Sequence, residues 1–410
     1  MIVETLVPSM GQTHIDALFD GSSREYVLRP YDTLTLEFLN DVSRRIITDA
    51  KLKSRAEYVA LAFWLRKSVL LRIKDENKHL FETESVRVSP LGTVLHICPA
   101  NVDTMFLYSM AVSLLMGNRN ILKVSKRTDS EELFRLFAIL NEAITTPKFQ
   151  CFASYIRIIQ YQRNDHINEA LSMMANCRVI WGGDATVAAF KSVRTAPRTK
   201  DLAFADRISV LVLKSASVLG LQGADMDEFV QKFYNDTYTF DQLGCSSPQT
   251  ILMVGTQQQN AECVKLLSEK LTRMVQETFA VDAASLGGLK FNRRVEDAME
   301  GRIETVAGNS LCTFAYAAEG TDVESMKSCG GGYFYVRQAE SVEQLGIPRS
   351  SKIQTVAYFG ISDGEKSMLI DAAMGEGIDR VVPLGRALEF NYVWDGYNLL
   401  DELSKKVQVY

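Results

Sequence analysis

Residues 93–124 read TVLHICPANVDTMFLYSMAVSLLMGNRNILKV and contain a strand, a helix and a second strand in succession. The first run is apolar and β-branched, and ILKV at 121–124 has the same continuous apolar character. Between them, residues 103–116 are largely apolar and end at Gly117-Asn118, which is typical of a buried helix and its stop signal. Apolar strands joined by such a helix predict a parallel sheet that is covered on both faces.

The same alternation extends from Val86 to the strand pattern SVLVLK at 209–214. It predicts a doubly wound dinucleotide-binding domain with right-handed crossovers over residues 85–214. Helical spacing of apolar residues before position 85 predicts helices that pack on this core, so the first domain is expected to span residues 1–214.

After a predicted helix at 225–240, the strand–helix rhythm resumes and predicts a second α/β domain over residues 215–385. The segment 386–410 ends in KKVQVY, which has strand character without an obvious partner in sequence. Because terminal strands often pair with a neighbour, this segment is expected to return to the first domain or to pair with another subunit as a small oligomerisation element. A homo-oligomer, a dimer or a tetramer, is therefore predicted.

The composition restricts the class of protein. A chain of 410 residues with 47% hydrophobic and 23% charged residues is typical of a soluble protein with more than one domain. A thinly spread net charge of −5 argues against nucleic acid as the main partner, and no apolar run is long enough for a membrane span. The seven cysteines form no CxxC pair and the four histidines are scattered, so no metal site is predicted. The same cysteine pattern and the lack of a secretory signal predict a reduced, cytoplasmic protein.

Three polar segments follow predicted strands of the first domain, where open α/β sheets place their ligands. Asn101 stands between a strand and the next helix, where it either caps the helix or contacts a ligand. Lys123 ends a buried strand and begins a cationic run that is either solvated or bound to a phosphate. The candidate residues are Asn101; Lys123, Ser125, Lys126 and Arg127; and Gly182, Gly183 and Asp184.

The last of these segments, VIWGGDATVAAF at 179–190, reads as a strand, two glycines and a helix. Glycines before a helix N-terminus allow a pyrophosphate to approach the free backbone N–H groups. The segment is not a GxGxxG motif and is weak when it is taken alone. Because all three segments lie at the carboxyl ends of strands in one predicted sheet, their convergence favours a cofactor cleft there.

The stretch FDQLGCSSPQ at 240–249 opens the second domain and contains Cys245. Most free cysteines are buried, inert and serve as small hydrophobic residues, and GCSS by itself does not distinguish Cys245 from the other six. Its place in the loop that follows the predicted cleft favours a second interpretation, in which the thiol faces that cleft.

The chain resembles the aldehyde dehydrogenase superfamily in the order of its motifs. These are PLG…PAN, then GN…LKVS, then a Gly-Gly turn, and finally F-x-x-x-G-C. The closer resemblance, which includes residues 377–403, is to the LuxC-type acyl-CoA or acyl-protein reductases, the fatty-acid reductases of bacterial bioluminescence and their relatives. It runs from about residue 85 to the C-terminus. It implies an aldehyde-dehydrogenase-like fold with a Rossmann-type domain and a second α/β catalytic domain.

The resemblance also implies roles for individual residues. Cys245 matches the catalytic nucleophile, and Asn101 matches the asparagine that donates a hydrogen bond to the thiohemiacetal oxyanion. Lys123 and Ser125 match the pair that holds the adenosine ribose. The turn Gly182-Gly183-Asp184 matches the turn near the pyrophosphate.

Two departures from the superfamily narrow the expected reaction. Hydrolytic members keep a glutamate that activates water, whereas this chain has Ala203 there and no glutamate from Asp201 to Val210, which favours hydride over water as the acceptor of the acyl group. Members that prefer NAD often have a glutamate three residues beyond the lysine. Lys126 stands there, followed by Arg127, and these cations predict NADPH as the cofactor, with NADH less favoured.

The predicted activity is therefore NADPH-dependent reduction of an activated fatty acyl group to the aldehyde through S-acylated Cys245. The donor is an acyl-CoA, an acyl adenylate or an acyl-protein, and an acyl-protein synthetase subunit is a possible partner. Three alternatives stay open at this point: a hydrolytic NAD(P)-dependent aldehyde dehydrogenase, a non-catalytic partner subunit of a synthetase, and a cysteine acyltransferase or thioesterase.

Overall fold

The computed structural model describes residues 1–19, 27–81, 83, 85–99, 102–126, 130–278, 283–345, 350–372, 374–375 and 377–410. These form two compact units, one of residues Met1–Asp206 with Phe390–Tyr410 and one of residues Arg207–Glu389. The sequence placed the two boundaries after residues 214 and 385. Asn101 and Arg127 lie outside the described residues.

The first unit contains a seven-stranded sheet in the order β2-β1-β6-β5-β4-β7-β8. Strands β4 to β8 run parallel, and their inner members are buried apolar runs, as expected for strands that are covered on both faces. The strands of this unit up to residue 206 are β1 (Ile2–Val7), β2 (Gly11–His14), β3 (Val86–Pro90), β4 (Thr93–Ile97), β5 (Arg119–Lys123), β6 (Ile156–Gln160), β7 (Cys177–Trp181) and β8 (Lys200–Phe204).

Helices cover this sheet, and polar residues cap several of them. The Asp32, Ser130 and Asn164 side chains each accept a hydrogen bond from a backbone N–H in the first turn of the helix that follows. The helices are α1 (Thr33–Thr48), α2 (Ala56–Trp64), α3 (Lys67–Glu76), α4 (Lys78–Phe81), α5 (Met105–Leu115), α6 (Glu131–Ile144), α7 (Asp165–Met174) and α8 (Asp184–Lys191).

The N-terminal hairpin of β1 and β2 was not predicted from the sequence. β1 pairs antiparallel with β6, so that Glu4 lies opposite Gln160, and it extends the sheet beyond its parallel part. A six-residue strand at the start of a chain leaves little periodicity to detect, and its partner β6 lies about 150 residues away. The hairpin brings Glu4 to the edge of the sheet region that carries the candidate cofactor residues.

The second unit contains another seven-stranded sheet, in the order β11-β12-β13-β10-β9-β14-β15. Residues 209–214, which the sequence placed at the end of the first domain, lie in β9, between β10 and β14 of this sheet. A continuous apolar strand has the same pattern in either sheet, so periodicity does not assign it. The strands are β9 (Ile208–Lys214), β10 (Pro248–Val254), β11 (Ile303–Gly308), β12 (Thr313–Ala317), β13 (Tyr333–Ala339), β14 (Ile353–Phe359) and β15 (Arg380–Pro383).

The helices of the second unit pack their apolar stripes on this sheet. In the longest of them, Cys263, Leu267, Leu271 and Val275 recur at helical spacing and are fully or almost fully buried. The helices are α9 (Ser215–Leu219), α10 (Gly223–Thr237), α11 (Gln257–Thr278), α12 (Ala283–Met299), α13 (Val342–Leu345) and α14 (Asp363–Ala372).

The C-terminal segment belongs to the first unit. Its last strand pairs antiparallel with β3 of the same chain, so that Ser404 lies opposite Pro90. The Trp394 ring packs 5.3 Å from that of Tyr108 and 5.8 Å from that of Trp181, which anchors the segment on α5 and β7. Its elements are β16 (Val393–Trp394), β17 (Tyr397–Asn398), α15 (Leu399–Glu402) and β18 (Ser404–Gln408).

Within the described ranges, no helix combines the length and apolar character that crossing a membrane requires. In the same ranges, His, Cys, Asp and Glu side chains do not form a group of three or more that is placed to hold a metal ion.

Candidate active site

The first unit contains a cavity of about 1010 Å³ at the carboxyl ends of β5 and β6. Residues from the first half of α7, and from α8 and the segment directly after it, complete its wall. Strand ends and helix N-termini are where open α/β sheets bind nucleotides, because backbone N–H groups point at the ligand there. We call this space the first-unit cavity; its lining includes Lys123, Ser125, Lys126, Tyr161, Arg163 and Thr186.

Lys123 is the last residue of β5, and its ammonium lies 5.6 Å from the centre of the Tyr161 ring. Burial lowers the pKa of Lys123, whereas the neighbouring Cys98 thiol acts in the opposite direction. A partly desolvated ammonium gains from a polar or anionic ligand that replaces lost water contacts. The structure thus brings Lys123 into the cavity that its sequence position predicts.

Lys126 also lines the first-unit cavity, but its ammonium is 3.0 Å from a carboxylate oxygen of Glu4. Hydrogen bonds from the Lys126 and Gln160 side chains hold the pKa of Glu4 below its ordinary value. Sequence reasoning treated Lys126 as a cation among other cations. Glu4 was missed because an ion pair between residues so distant in the chain leaves no local signal.

The Gly-Gly turn lies directly before α8. Gly183 is its N-cap and Asp184 its first residue, while the next two residues, Ala185 and Thr186, line the first-unit cavity. A Cβ on Gly183 would meet no atom within 4 Å, so the backbone at the turn is open to a ligand. Asp184 accepts a hydrogen bond from the backbone N–H of Asp206 and thereby fixes the start of the helix.

In the second unit, Cys245 lies between a tight turn at Thr239–Gln242 and β10. We call residues 238–247 the cysteine loop. Phe240, Asp241 and Gln242 have φ angles of 57°, 54° and 63°. Consecutive non-glycine residues in the left-handed region are unfavourable, and such conformations concentrate at functional sites, where surrounding contacts hold them.

The Gln242 side chain supplies several of these contacts. Its carbonyl oxygen accepts hydrogen bonds from the backbone N–H groups of Gly332 and Tyr333, at 3.0 and 3.1 Å. Its amide donates to the backbone carbonyls of Pro248 and Tyr333. Gln242 is fully buried, so each of these bonds replaces one that water would otherwise make.

Three consecutive glycines, Gly330 to Gly332, face this loop with φ angles of 85°, 60° and 83°. The N–H of Gly331 donates to the carbonyl of Asp241, and a Cβ on Gly330 would lie 2.6 Å from that oxygen. Glycine is therefore required by both the backbone conformation and the close approach. The run CGGGY at 329–333 is the signal in the sequence that could have located these contacts.

Cys245 itself is half-buried. Its backbone carbonyl accepts a hydrogen bond from the Ser209 hydroxyl at 2.7 Å, and the Ser247 N–H donates to the Gly244 carbonyl to close a turn around it. The backbone that presents the thiol is thus fixed on both sides.

The other six cysteines are shielded from solvent to a degree that raises the pKa of every one of their thiols. Burial raises the pKa to about 12 for Cys98, Cys177, Cys263 and Cys312. It also raises the pKa of Cys151 and Cys329 above the ordinary value. A high thiol pKa suppresses the thiolate, so these six are poor nucleophiles at neutral pH.

His96 is fully buried, and burial lowers its pKa to about 4. One ring nitrogen lies 2.7 Å from the Ser109 hydroxyl, and the other lies 3.0 Å from the Asn120 amide oxygen. Because Trp181 donates to Ser109, that hydroxyl is available to donate to the ring, and the ring in turn donates to Asn120. With both nitrogens engaged, His96 does not offer the free base that a cysteine acyltransferase or thioesterase needs.

Ala203 is the position at which the sequence lacks the glutamate of hydrolytic aldehyde dehydrogenases. Ala203 lies in β8 and is half-buried. The nearby Asp201 carboxylate forms a bidentate ion pair with the buried Arg178 guanidinium, with N–O distances of 2.7 and 2.6 Å. Because both of its carboxylate oxygens accept hydrogen bonds from the guanidinium, Asp201 is poorly placed to take a proton from a water molecule.

The family profile described as "Acyl-CoA reductase (LuxC)" matches residues 54–406. This chain belongs to the LuxC family. The match covers most of the chain, including the first-unit cavity, the cysteine loop and most of the C-terminal segment. Membership assigns the protein to oxidoreductases that act on acyl or aldehyde groups. No curated protein matches the sequence itself.

Solved structures of aldehyde dehydrogenases share the fold. An NAD⁺ complex of aldehyde dehydrogenase from Bacillus cereus is 12% identical with a TM-score of 0.68, and covers 96% of this chain and 86% of its own. A mutant betaine aldehyde dehydrogenase from Staphylococcus aureus is 15% identical with a TM-score of 0.66, over 96% and 85%. A lactaldehyde dehydrogenase is 14% identical with a TM-score of 0.62, over 92% and 86%. The predicted aldehyde-dehydrogenase-like α/β fold of this LuxC member is confirmed.

Proposed function

We propose that this LuxC family member reduces an activated fatty acyl group to the aldehyde through an S-acyl intermediate on Cys245, with NADPH as the reductant. The observation that carries the proposal is the construction of the cysteine loop, which presents a half-buried thiol on a strained backbone anchored by Gln242 and the glycine run. Strain of this kind persists only where the surroundings enforce it. It is found at the one cysteine that the family resemblance marks as nucleophile.

In the proposed reaction the Cys245 thiolate attacks the acyl carbon, a carbon–sulfur bond forms, and the donor leaves as CoA thiolate, AMP or a protein thiolate. NADPH, when bound, supplies the hydride that adds to the acyl carbon. We assign oxyanion binding to the Cys245 backbone N–H and, on the family resemblance, to the Asn101 side chain; loss of one such donor costs about 100- to 1,000-fold in rate. Collapse of the oxyanion breaks the carbon–sulfur bond, releases the aldehyde and regenerates the thiolate.

The first-unit cavity fits a nicotinamide dinucleotide. Its volume of about 1010 Å³ is sufficient, and we assign Lys123 and Ser125 of its lining to the ribose. The Gly182–Asp184 turn, which precedes the lining residues Ala185 and Thr186, is assigned to the pyrophosphate. The lining contains four cations, Lys123, Lys126, Arg163 and Arg194, against two carboxylates, Asp165 and Glu169, and this excess of positive charge supports NADPH over NADH. We also propose Arg127, the residue after Lys126, as one of the cations that favour NADPH.

The absence of a carboxylate at Ala203 supports hydride over water as the fate of the acyl group, because a thioester without a positioned base hydrolyses slowly. We propose acyl-CoA, an acyl adenylate or an acyl-protein as donor, with an acyl-protein synthetase as a candidate partner and a homo-oligomer in the cytoplasm as the working form. Hydrolytic oxidation of an aldehyde is the second candidate function, and only the shared fold supports it.

Intact-mass spectrometry after incubation with acyl-CoAs of increasing chain length tests this reaction. We expect a mass gain of one acyl group in the wild type, its discharge by NADPH with release of aldehyde, and loss of both in Cys245→Ala. Cys329→Ala is a matched control, since Cys329 is also a half-buried cysteine of the second unit. It should acylate like the wild type.

Two outcomes would overturn the proposal. Discharge of the acyl group by water at a rate that NADPH does not change would support the hydrolytic alternative. Full biological activity of Cys245→Ala together with its partner synthetase would support a non-catalytic subunit.

A further inference from the structure

The ion pair between Lys126 and Glu4 lies between two cavities of the first unit. Lys126 lines the first-unit cavity and also a smaller space of about 280 Å³. Glu4 lines only the smaller space and reaches Lys126 from that side. Each side chain is 42% exposed, so both remain accessible to a ligand. The carboxylate is therefore a close neighbour of any anion that binds Lys126 from the first-unit cavity.

We propose that Glu4 is a cofactor-specificity residue that competes with the 2′-phosphate of NADPH for Lys126. The proposal rests on the nicotinamide-dependent function proposed above and deepens it. NADH carries a neutral 2′-hydroxyl in place of the phosphate, so its binding does not depend on the charge of Glu4. Glu4 therefore weakens the binding of NADPH and leaves that of NADH unchanged. The difference in affinity between the two cofactors is then smaller than it would be with the cations alone.

Glu4 opposes the binding of a phosphate to Lys126 in two ways. The Lys126 ammonium is 3.0 Å from the Glu4 carboxylate, so a phosphate must share or break this bond. In addition, the Glu4 charge repels a dianionic phosphate that binds the same lysine. The location of Glu4 is set by tertiary structure, because β1 pairs with β6 and aligns Glu4 with Gln160, next to the loop that follows β6. The Gln160 side chain helps to keep the carboxylate charged by holding its pKa low.

Glu4→Gln removes the charge and keeps the shape. We expect this variant to bind 2′,5′-ADP about fivefold more tightly than the wild type, while its affinity for ADP changes less than about twofold. In kinetics, the ratio of kcat/KM for NADPH to that for NADH should rise by a similar factor. Calorimetry with the two adenosine phosphates gives the binding result without need of the acyl substrate.

Glu37→Gln is a matched control, because Glu37 makes a 3.0 Å ion pair with Lys148 in the same unit and lies on α1. It should leave both affinities and the kinetic ratio unchanged. Lys126→Met should lower the affinity for 2′,5′-ADP, and Glu4→Gln should have a smaller effect on selectivity in that background, because only the direct repulsion between carboxylate and phosphate is left to remove.

The outcomes separate the two proposals. If nucleotides bind and Glu4→Gln leaves the selectivity unchanged, or shifts it equally in the Lys126→Met background, the role of Glu4 is wrong and the reductase proposal stands. If the wild type and both variants bind neither adenosine phosphate and neither nicotinamide cofactor, the cofactor site is wrong and both proposals fall.

Discussion

In the first-unit cavity, charged side chains at partly exposed positions carry the interactions, whereas in the cysteine loop buried side chains hold backbone groups. Lys126 and Glu4 illustrate the first arrangement, and Gln242 with Gly332 illustrates the second. Exposed ion pairs contribute little to stability and can exchange partners with a ligand. Buried hydrogen bonds to strained backbone are costly to remove. The two regions should therefore respond differently to substitution, the first in ligand binding and the second in folding and acylation together.

The largest effect is expected for Gln242→Leu in the cysteine loop. The change leaves the N–H groups of Gly332 and Tyr333 and the carbonyl of Pro248 without their partner, and should lower the free energy of unfolding by about 3–5 kcal/mol. Acylation of Cys245 should slow as well, because the strained loop relaxes. Urea denaturation and the rate of mass gain measure the two effects.

Gln231→Leu is the control for this change, since Gln231 is an exposed glutamine of the same unit whose side-chain amide donates to the neighbouring Asn235 on α10. It should alter the free energy of unfolding by less than about 0.5 kcal/mol. If both variants lose the same stability, the anchoring role of Gln242 is wrong.

In the first-unit cavity we expect Lys123→Met to weaken nucleotide binding about 10- to 100-fold, because it removes a charged donor from the cavity. Its free energy of unfolding should be unchanged or slightly higher, since burial lowers the pKa of Lys123 and an apolar side chain of similar length avoids that cost. Calorimetric titration with NADP⁺ and urea denaturation test the two statements. If Lys123→Met lowered the free energy of unfolding as much as Gln242→Leu does, the first-unit cavity and the cysteine loop would not differ in the way proposed.

One buried group in each unit, His96 in the first and Asp236 in the second, should change stability in opposite directions on acidification. His96 has a pKa of about 4 in the folded protein against an ordinary value of 6.5, so the unfolded chain binds the proton first, and acidification from pH 7 to 5 costs about 2 kcal/mol of stability. Burial raises the pKa of Asp236 in the second unit to about 6 from 3.8. The folded state then binds the proton first, and the same acidification adds about 1 kcal/mol.

Urea denaturation of the wild type, His96→Gln and Asp236→Asn at pH 7 and pH 5 separates these contributions. Relative to the wild type, stability should fall less on acidification in His96→Gln and fall more in Asp236→Asn. Identical changes in all three proteins would show that neither group titrates as its burial predicts.

The sequence by itself determined the alternation of strands and helices, the apolar helix that joins β4 and β5, and the family. These follow from local pattern, because a covered parallel strand and a buried helix each leave a periodic signature within about ten residues. It also identified Lys123, the Gly-Gly turn and Cys245 as candidates, since each stands next to such a pattern. Their catalytic and binding roles remain predictions.

Only the tertiary structure decided which sheet contains residues 209–214, that the first strand joins β6, and that the last strand pairs with β3. It also decided that Glu4 meets Lys126 and that Gln242 holds the cysteine loop against Gly332. Each of these contacts joins residues that are distant in sequence, and a single polar residue leaves no periodicity. Such contacts arise when the chain buries its apolar faces, and sequence pattern alone does not fix which distant residues then meet.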